Sequence, residues 1–139
     1  MPAKLERFDL FSAALAALHV LRIPIGKVYS CPLYRARETV RLANLPQPQL
    51  IEELAEGKAG MASTARRSQS RWLKRAVARV PQAGTDTLIV THTPNIVGAF
   101  GQEAAGIQAG EMLVFEPQAG QGRLQGRVSI AQWRQVARH

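Results

Sequence analysis

The chain has 139 residues, 46% of them hydrophobic and 20% charged, which is enough to bury one modest core and too little for a second domain. A single cysteine, Cys31, excludes an intramolecular disulfide and any cysteine-based zinc cluster. Eighteen basic against ten acidic side chains give a formal charge of +8, which favours anionic ligands without choosing among nucleic acid, a membrane surface and small phosphate esters.

From Glu6 to Arg22 the apolar residues Phe8, Phe11, Leu15 and Leu18 recur at steps of three and four, which predicts one face of an amphipathic helix. Lys4 and Arg7 precede a short apolar run, but Glu6 and Asp9 interrupt the basic region that a secretory signal requires. The run from Leu10 to Leu21 is too short to span a bilayer, so a cytoplasmic chain with no membrane partner is expected. Pro24 and Gly26 end the helix, Lys27 to Ser30 reads as a strand, and Pro32 opens a helix through Arg35, Glu38 and Val40 to about Ala43.

Residues 44 to 63 carry turn formers and little periodicity, and predict a long irregular connection around Leu50-Ile51-Glu52-Glu53. Helical spacing returns from Thr64 to Val80 through Trp72, Ala76 and Val80. Thr87 to Thr91 reads as a buried strand, followed by Pro94 and a helix to about Gly101. The last forty residues predict a hairpin, with Glu111 to Phe115 and Leu124 to Ile130 flanking the turn Gly120-Gln121-Gly122. Strands alternating with helices favour an α/β domain.

Two segments share one design: an apolar strand, a polar pair, a proline, then a helix. They are Val28-Tyr29-Ser30-Cys31-Pro32 and Ile89-Val90-Thr91-His92-Thr93-Pro94. Where such a strand ends, the helix start leaves backbone amides without partners and carries partial positive charge, so anions gather there. Parallel α/β sheets bind their ligands at the same end. Arg35 sits in the first turn of one helix and His92 just before the other, where a cation opposes the helix dipole unless an anion lies between them. Taken singly, Arg35 can pair with Glu38 three residues on, and His92 can be a histidine satisfied beside the core.

Ser30-Cys31-Pro32-Leu33-Tyr34-Arg35-Ala36-Arg37-Glu38-Thr39 resembles the histidine phosphatase pattern of a strand end, Ser-Pro, two variable residues, Arg-Ala and a threonine three further on. Thr91-His92-Thr93-Pro94-Asn95-Ile96 resembles the second histidine motif of the same phosphoglycerate mutase-like superfamily. The resemblance implies a three-layer sheet with flanking helices and a phosphate pocket. In that pocket Arg35 would bind phosphate oxygens bidentately and His92 would donate a hydrogen bond to the transferring phosphoryl group. It also implies a general acid. Leu50-Ile51-Glu52, followed by Gly57 and Gly60, is similar to the acid-bearing loop of the mutase branch, which makes Glu52 the first candidate, with Glu53, Glu103 and Glu111 as alternatives and an exposed carboxylate as the plain reading of each.

The sequence departs from the family at one point. The superfamily's nucleophile is a histidine in an Arg-His-Gly motif on the first strand, and no Arg-His-Gly occurs in this chain. His19 lies on a predicted helix and His139 is the last residue, so neither has the strand-end setting of a nucleophile. Residues 1–139 are therefore expected to form a single, incomplete histidine phosphatase-like domain whose first, central strand is missing and which has little turnover. The strands preceding Arg35 and His92 are expected to lose a shared neighbour, leaving an edge open to self-association or to a partner strand. Phosphomonoester hydrolysis belongs to the intact family, and a non-catalytic pseudoenzyme that binds a phosphate-containing ligand or a partner is the alternative.

No cofactor is implied, and three widely separated histidines suggest no metal site. Arg66, Arg67, Arg71, Lys74, Arg75 and Arg79 put six cations on one helix with no acid between them, on the side opposite Trp72, Ala76 and Val80. A solvated face explains them, and nucleic acid is the weaker reading because few aromatics accompany them.

Overall fold

The computed structural model describes residues 18, 21–32, 45–55, 63–108, 111–129, 131, 132 and 135. In order these form strand β1 (Ile25–Ser30), a short strand β2 (Gln49–Leu50), a 3-10 turn (Glu52–Leu54), helix α1 (Ser63–Ala78), strand β3 (Asp86–Val90), helix α2 (Thr93–Phe100), a second 3-10 turn (Gly101–Ala104), and strands β4 (Met112–Gln118) and β5 (Gln121–Val128). The predicted helices over 6–22 and 32–43 fall outside these residues, apart from Leu18, which is helical and buried, and the turn at Leu21-Arg22.

β1 is the middle of a three-stranded parallel sheet in the order β2-β1-β3. Val28 faces Leu88, Tyr29 faces Ile89 and Ser30 faces Val90. This corrects an expectation from the sequence, since β1 and β3 are hydrogen-bonded to each other directly and no strand stands between them. Among the described residues β2 and β3 each pair on one side only, so the outer sides of both are edges of this sheet.

Because successive side chains of a strand point to opposite faces, the sheet buries two apolar clusters. Val28, Leu88 and Val90 pack with Leu18 on one face, bordered by Ile23, Ile25, Met112 and Val128. Tyr29 and Cys31 pack with Leu54, Leu73 and Ala99 on the other, bordered by Trp72, Ile89 and Phe100. Helix α1 lays Leu73 into the second cluster and sets Trp72 edge-on against Tyr29, with ring centroids 5.3 Å apart at 84°. Its predicted core position Val80 is instead 83% exposed, because the helix stops at Ala78 and Pro81 follows.

The hairpin β4–β5 turns at Ala119-Gly120, whose φ angles of 51° and 79° belong to the tight two-residue turn that matches strand twist. The predicted turn lay one residue later and included Gly122. That glycine pairs with Pro117 within the ladder and serves close packing, since a Cβ there would stand 2.9 Å from the carbonyl oxygen of Val77 on α1. β5 also ends before Ile130, because Ser129 and Gln132 exchange hydrogen bonds between side chain and backbone at 2.8 and 3.3 Å, a capping box that opens a helical turn. Replacing Gly122 with Ala is expected to push α1 and the hairpin apart at a cost of about 1–3 kcal/mol. A thermal midpoint lower by several degrees would be the readout, and an unchanged midpoint would show that the two elements do not meet there.

Candidate functional site

The site is assembled at the carboxyl end of the parallel sheet. β1 and β3 end level with each other, Ser30 opposite Val90, and the Cys31 N–H donates to the Val90 carbonyl at 3.1 Å. The turns that follow, Cys31-Pro32 and Thr91-His92, therefore leave the sheet side by side. Ser30 and Cys31 are fully enclosed, and the Ser30 hydroxyl donates to the Cys31 carbonyl at 3.0 Å. This hydroxyl is occupied in shaping the turn.

His92 is the N-cap residue of α2, in extended backbone conformation, and its carbonyl accepts from the N–H groups of Asn95 and Ile96 at 3.0 and 3.2 Å. Pro94 follows in the first turn, where its lack of an N–H costs nothing. The sequence rule for this helix start holds to within a residue. His92 is half-buried and lines a groove together with Thr91 and Thr93.

Glu52 begins the 3-10 turn and is exposed, and Glu53 is half-buried next to it. What positions this turn is a set of hydrogen bonds from the His92 segment. The Thr91 hydroxyl donates to the Leu54 carbonyl at 2.9 Å. The Asn95 side-chain amide donates to the carbonyls of Glu53 and Ala55 at 3.2 and 2.9 Å. Gln69 from α1 adds a bond to the Ala55 carbonyl at 3.1 Å, and Leu54 is completely buried beneath. The loop carrying Glu52 is thus latched to the loop carrying His92, although forty residues of chain separate Asn95 from Ala55.

Of the alternative acids, Glu111 is engaged elsewhere: its Oε1 accepts two bonds from Arg127, at 2.6 and 2.8 Å, in an ion pair that braces the base of the hairpin. Arg127 also donates to the Ala105 carbonyl at 2.7 Å. Glu103 is exposed on the second 3-10 turn. Arg35, His19 and His139 lie outside the described residues. Arg66, Arg67, Arg71, Lys74, Arg75 and Arg79 are all exposed along and just beyond α1. Among the described residues no group of three or more metal-binding side chains occurs, and no helix is long and apolar enough to cross a membrane.

Sequence reasoning included Thr91 and Asn95 in the motif around His92 but gave neither a task. Asn95 is 5% exposed, and an asparagine buried in the first turn of a helix needs partners beyond that turn, a need that the sequence alone does not announce. Its Oδ1 is also enclosed, with no hydrogen-bond partner among the described residues.

No protein-family model matches the chain, and no curated protein sequence matches it. A solved structure does: the protein histidine phosphatase SixA, in a structure of its complex with tungstate, superposes on 86% of this chain and 79% of its own with a TM-score of 0.60 and 20% sequence identity. The likeness is one of fold: the chain has a mixed α/β fold similar to that of SixA.

Substituting Asn95 by Ala removes both donated bonds and leaves the Glu53 carbonyl without this partner, while Ala55 keeps Gln69. The expected cost is about 1–3 kcal/mol. Asn95→Asp should cost more, because a carboxylate placed against two carbonyls cannot donate. Urea denaturation of both variants checks the order, and a wild-type midpoint for Asn95→Asp would remove the latch from the account.

Proposed function

We propose that this chain is a phosphate-ester-binding domain of the histidine phosphatase type, arranged as the three-layer sheet of that superfamily, with the anion held between the turns that follow β1 and β3. The observation that carries the reading is the level termination of those two parallel strands. Cys31-Pro32, which lead toward Arg35 in the sequence, and the N-cap of α2 stand at one end of the sheet. Arg35 is assigned to bidentate contact with phosphate oxygens, and His92 to a hydrogen bond on the same group. Glu52, on the latched loop, is the assigned general acid.

The reading gives this chain binding without efficient turnover. A phosphoryl group held by a guanidinium and an imidazole is polarised, but transfer still needs an acceptor, and the Arg-His-Gly nucleophile motif is absent from the sequence. The net charge of +8 draws anionic ligands toward the protein. Tungstate, the oxyanion in the structure of the similarly folded SixA, serves as the probe because its tetrahedral oxygens imitate phosphate.

Calorimetric titration with tungstate and with inorganic phosphate is expected to show one site per chain. Arg35→Ala and His92→Ala should each weaken it by about tenfold or more, the range set by losing a charge-assisted hydrogen bond. Hydrolysis of p-nitrophenyl phosphate should stay at background in all three proteins. Absence of binding by the wild type, or equal binding by both variants, would remove the proposal.

A further inference from the structure

Helix α1 turns its apolar side to the core, and what it leaves outside is of one kind. Leu73 and Trp72 face the cluster around Tyr29. Every exposed residue of the helix is an arginine, a lysine, a serine or a threonine. Arg67, Arg71 and Arg75 follow one another at steps of four, which sets them about 6 Å apart in a row along the axis. Arg79 takes the next step just past the helix end, and Arg66 and Lys74 flank the row.

No opposite charge answers these side chains. The sequence has no aspartate or glutamate between Glu56 and Asp86, and the ion pair found among the described residues, Arg127 with Glu111, belongs to the hairpin. Like charges at steps of three and four weaken a helix, and Arg66 stands at the end of the first turn, where the helix dipole disfavours a cation. A polyanion laid along the row removes both conflicts.

The composition of the face separates the polyanions. A helix that lies on a membrane sinks apolar side chains into the bilayer, whereas those of α1 are in the core. An acidic protein surface meets its partner around an apolar or aromatic centre, and the exposed face of α1 has none. Interfaces with nucleic acid are more polar and more basic, and arginine, lysine, serine and threonine bond phosphate oxygens there. Single strands are held by stacking bases on aromatic rings, but Trp72 is turned edge-on against Tyr29. A duplex asks for no ring.

Shape selects further. At about 100° per residue, the exposed positions from Arg66 round to Ser68 cover about 200° of the helix circumference. Half a cylinder about 10–12 Å across fits the major groove of B-form DNA, which is about 12 Å wide and has phosphates along both rims. The deep, narrow groove of A-form RNA does not admit it.

We propose that the exposed face of α1 binds double-stranded DNA through its phosphates, the helix lying along the major groove with Arg67, Arg71 and Arg75 as the central contacts. Such contact is independent of base sequence. The face shares no residue with the pocket assigned to Arg35, His92 and Glu52, and it stands whether or not that pocket holds phosphate.

The probe is a labelled DNA duplex about 16 base pairs long, titrated with the whole chain and read by fluorescence anisotropy. Micromolar binding is expected in about 50 mM salt, weakening by about a hundredfold or more in about 200 mM, the slope for four or five phosphate contacts. A duplex of unrelated sequence should bind equally. Arg67→Glu combined with Arg75→Glu leaves alternating charges along the row, so it should keep or raise the thermal midpoint while weakening binding about a hundredfold at the lower salt. Arg22→Glu combined with Lys27→Glu changes the net charge equally at exposed positions outside α1 and should weaken binding by only about threefold. Absence of duplex binding at the lower salt, or an equal loss in the two charge-reversed proteins, would overturn the proposal. So would tighter binding of the single strand or of an RNA duplex of the same sequence. Tighter association with phosphatidylserine vesicles would assign the face to a membrane instead, and tighter binding of polyglutamate would assign it to an acidic protein.

Discussion

The pairing of β1 with β3 governs most of what the molecule presents. Side chains alternate along a strand, so a slip of one residue between the two would turn one of them over, exchanging either Val28 with Tyr29 or Leu88 with Ile89 between the faces of the sheet. Each apolar cluster would then lose a member to the other, and turning β1 over would also break the Tyr29 contact with Trp72. The same register makes the strands end together, so the order of the core and the placement of the two polar turns have a single cause.

The parts of this arrangement legible in the sequence were those with local causes. Pro94 after His92 marked a helix start, the apolar run through Leu88 and Val90 marked a buried strand, and both were found within a residue or two of their places. The hairpin was visible from its flanking strands, but its turn was misplaced. Gly120 and Gly122 look alike in sequence, while one supplies a positive φ and the other lets a helix carbonyl approach. The segment from 44 to 63 gave no readable pattern because what orders its middle comes from elsewhere in the chain. A two-residue strand is held by β1, a three-residue 3-10 turn by Thr91, Asn95 and Gln69, and no periodicity announces such bonds.

The direct neighbourhood of β1 and β3 was also beyond the sequence. The resemblance to the histidine phosphatases led to an expectation that these strands lacked a shared neighbour, and hydrogen bonding between them shows that they are neighbours themselves. Local propensity identifies strands, whereas strand order is decided by which apolar faces must be covered, here by α1, α2 and the hairpin. In the candidate site, the proximity of the His92 turn and the loop of Glu52 rests on two side chains, Thr91 and Asn95, whose task no motif stated.

One consequence follows from how that loop is hung. Its carbonyls are gripped by a side chain rooted in the first turn of α2, so the tilt of the helix and the location of the Glu52 carboxylate form a single mechanical variable. By thermodynamic reciprocity, anything that favours one setting of the helix favours the matching setting of the loop to the same degree, and a contact made at the loop is felt equally at the helix. The start of α2 and the loop of Glu52 are therefore geared together rather than independently adjustable.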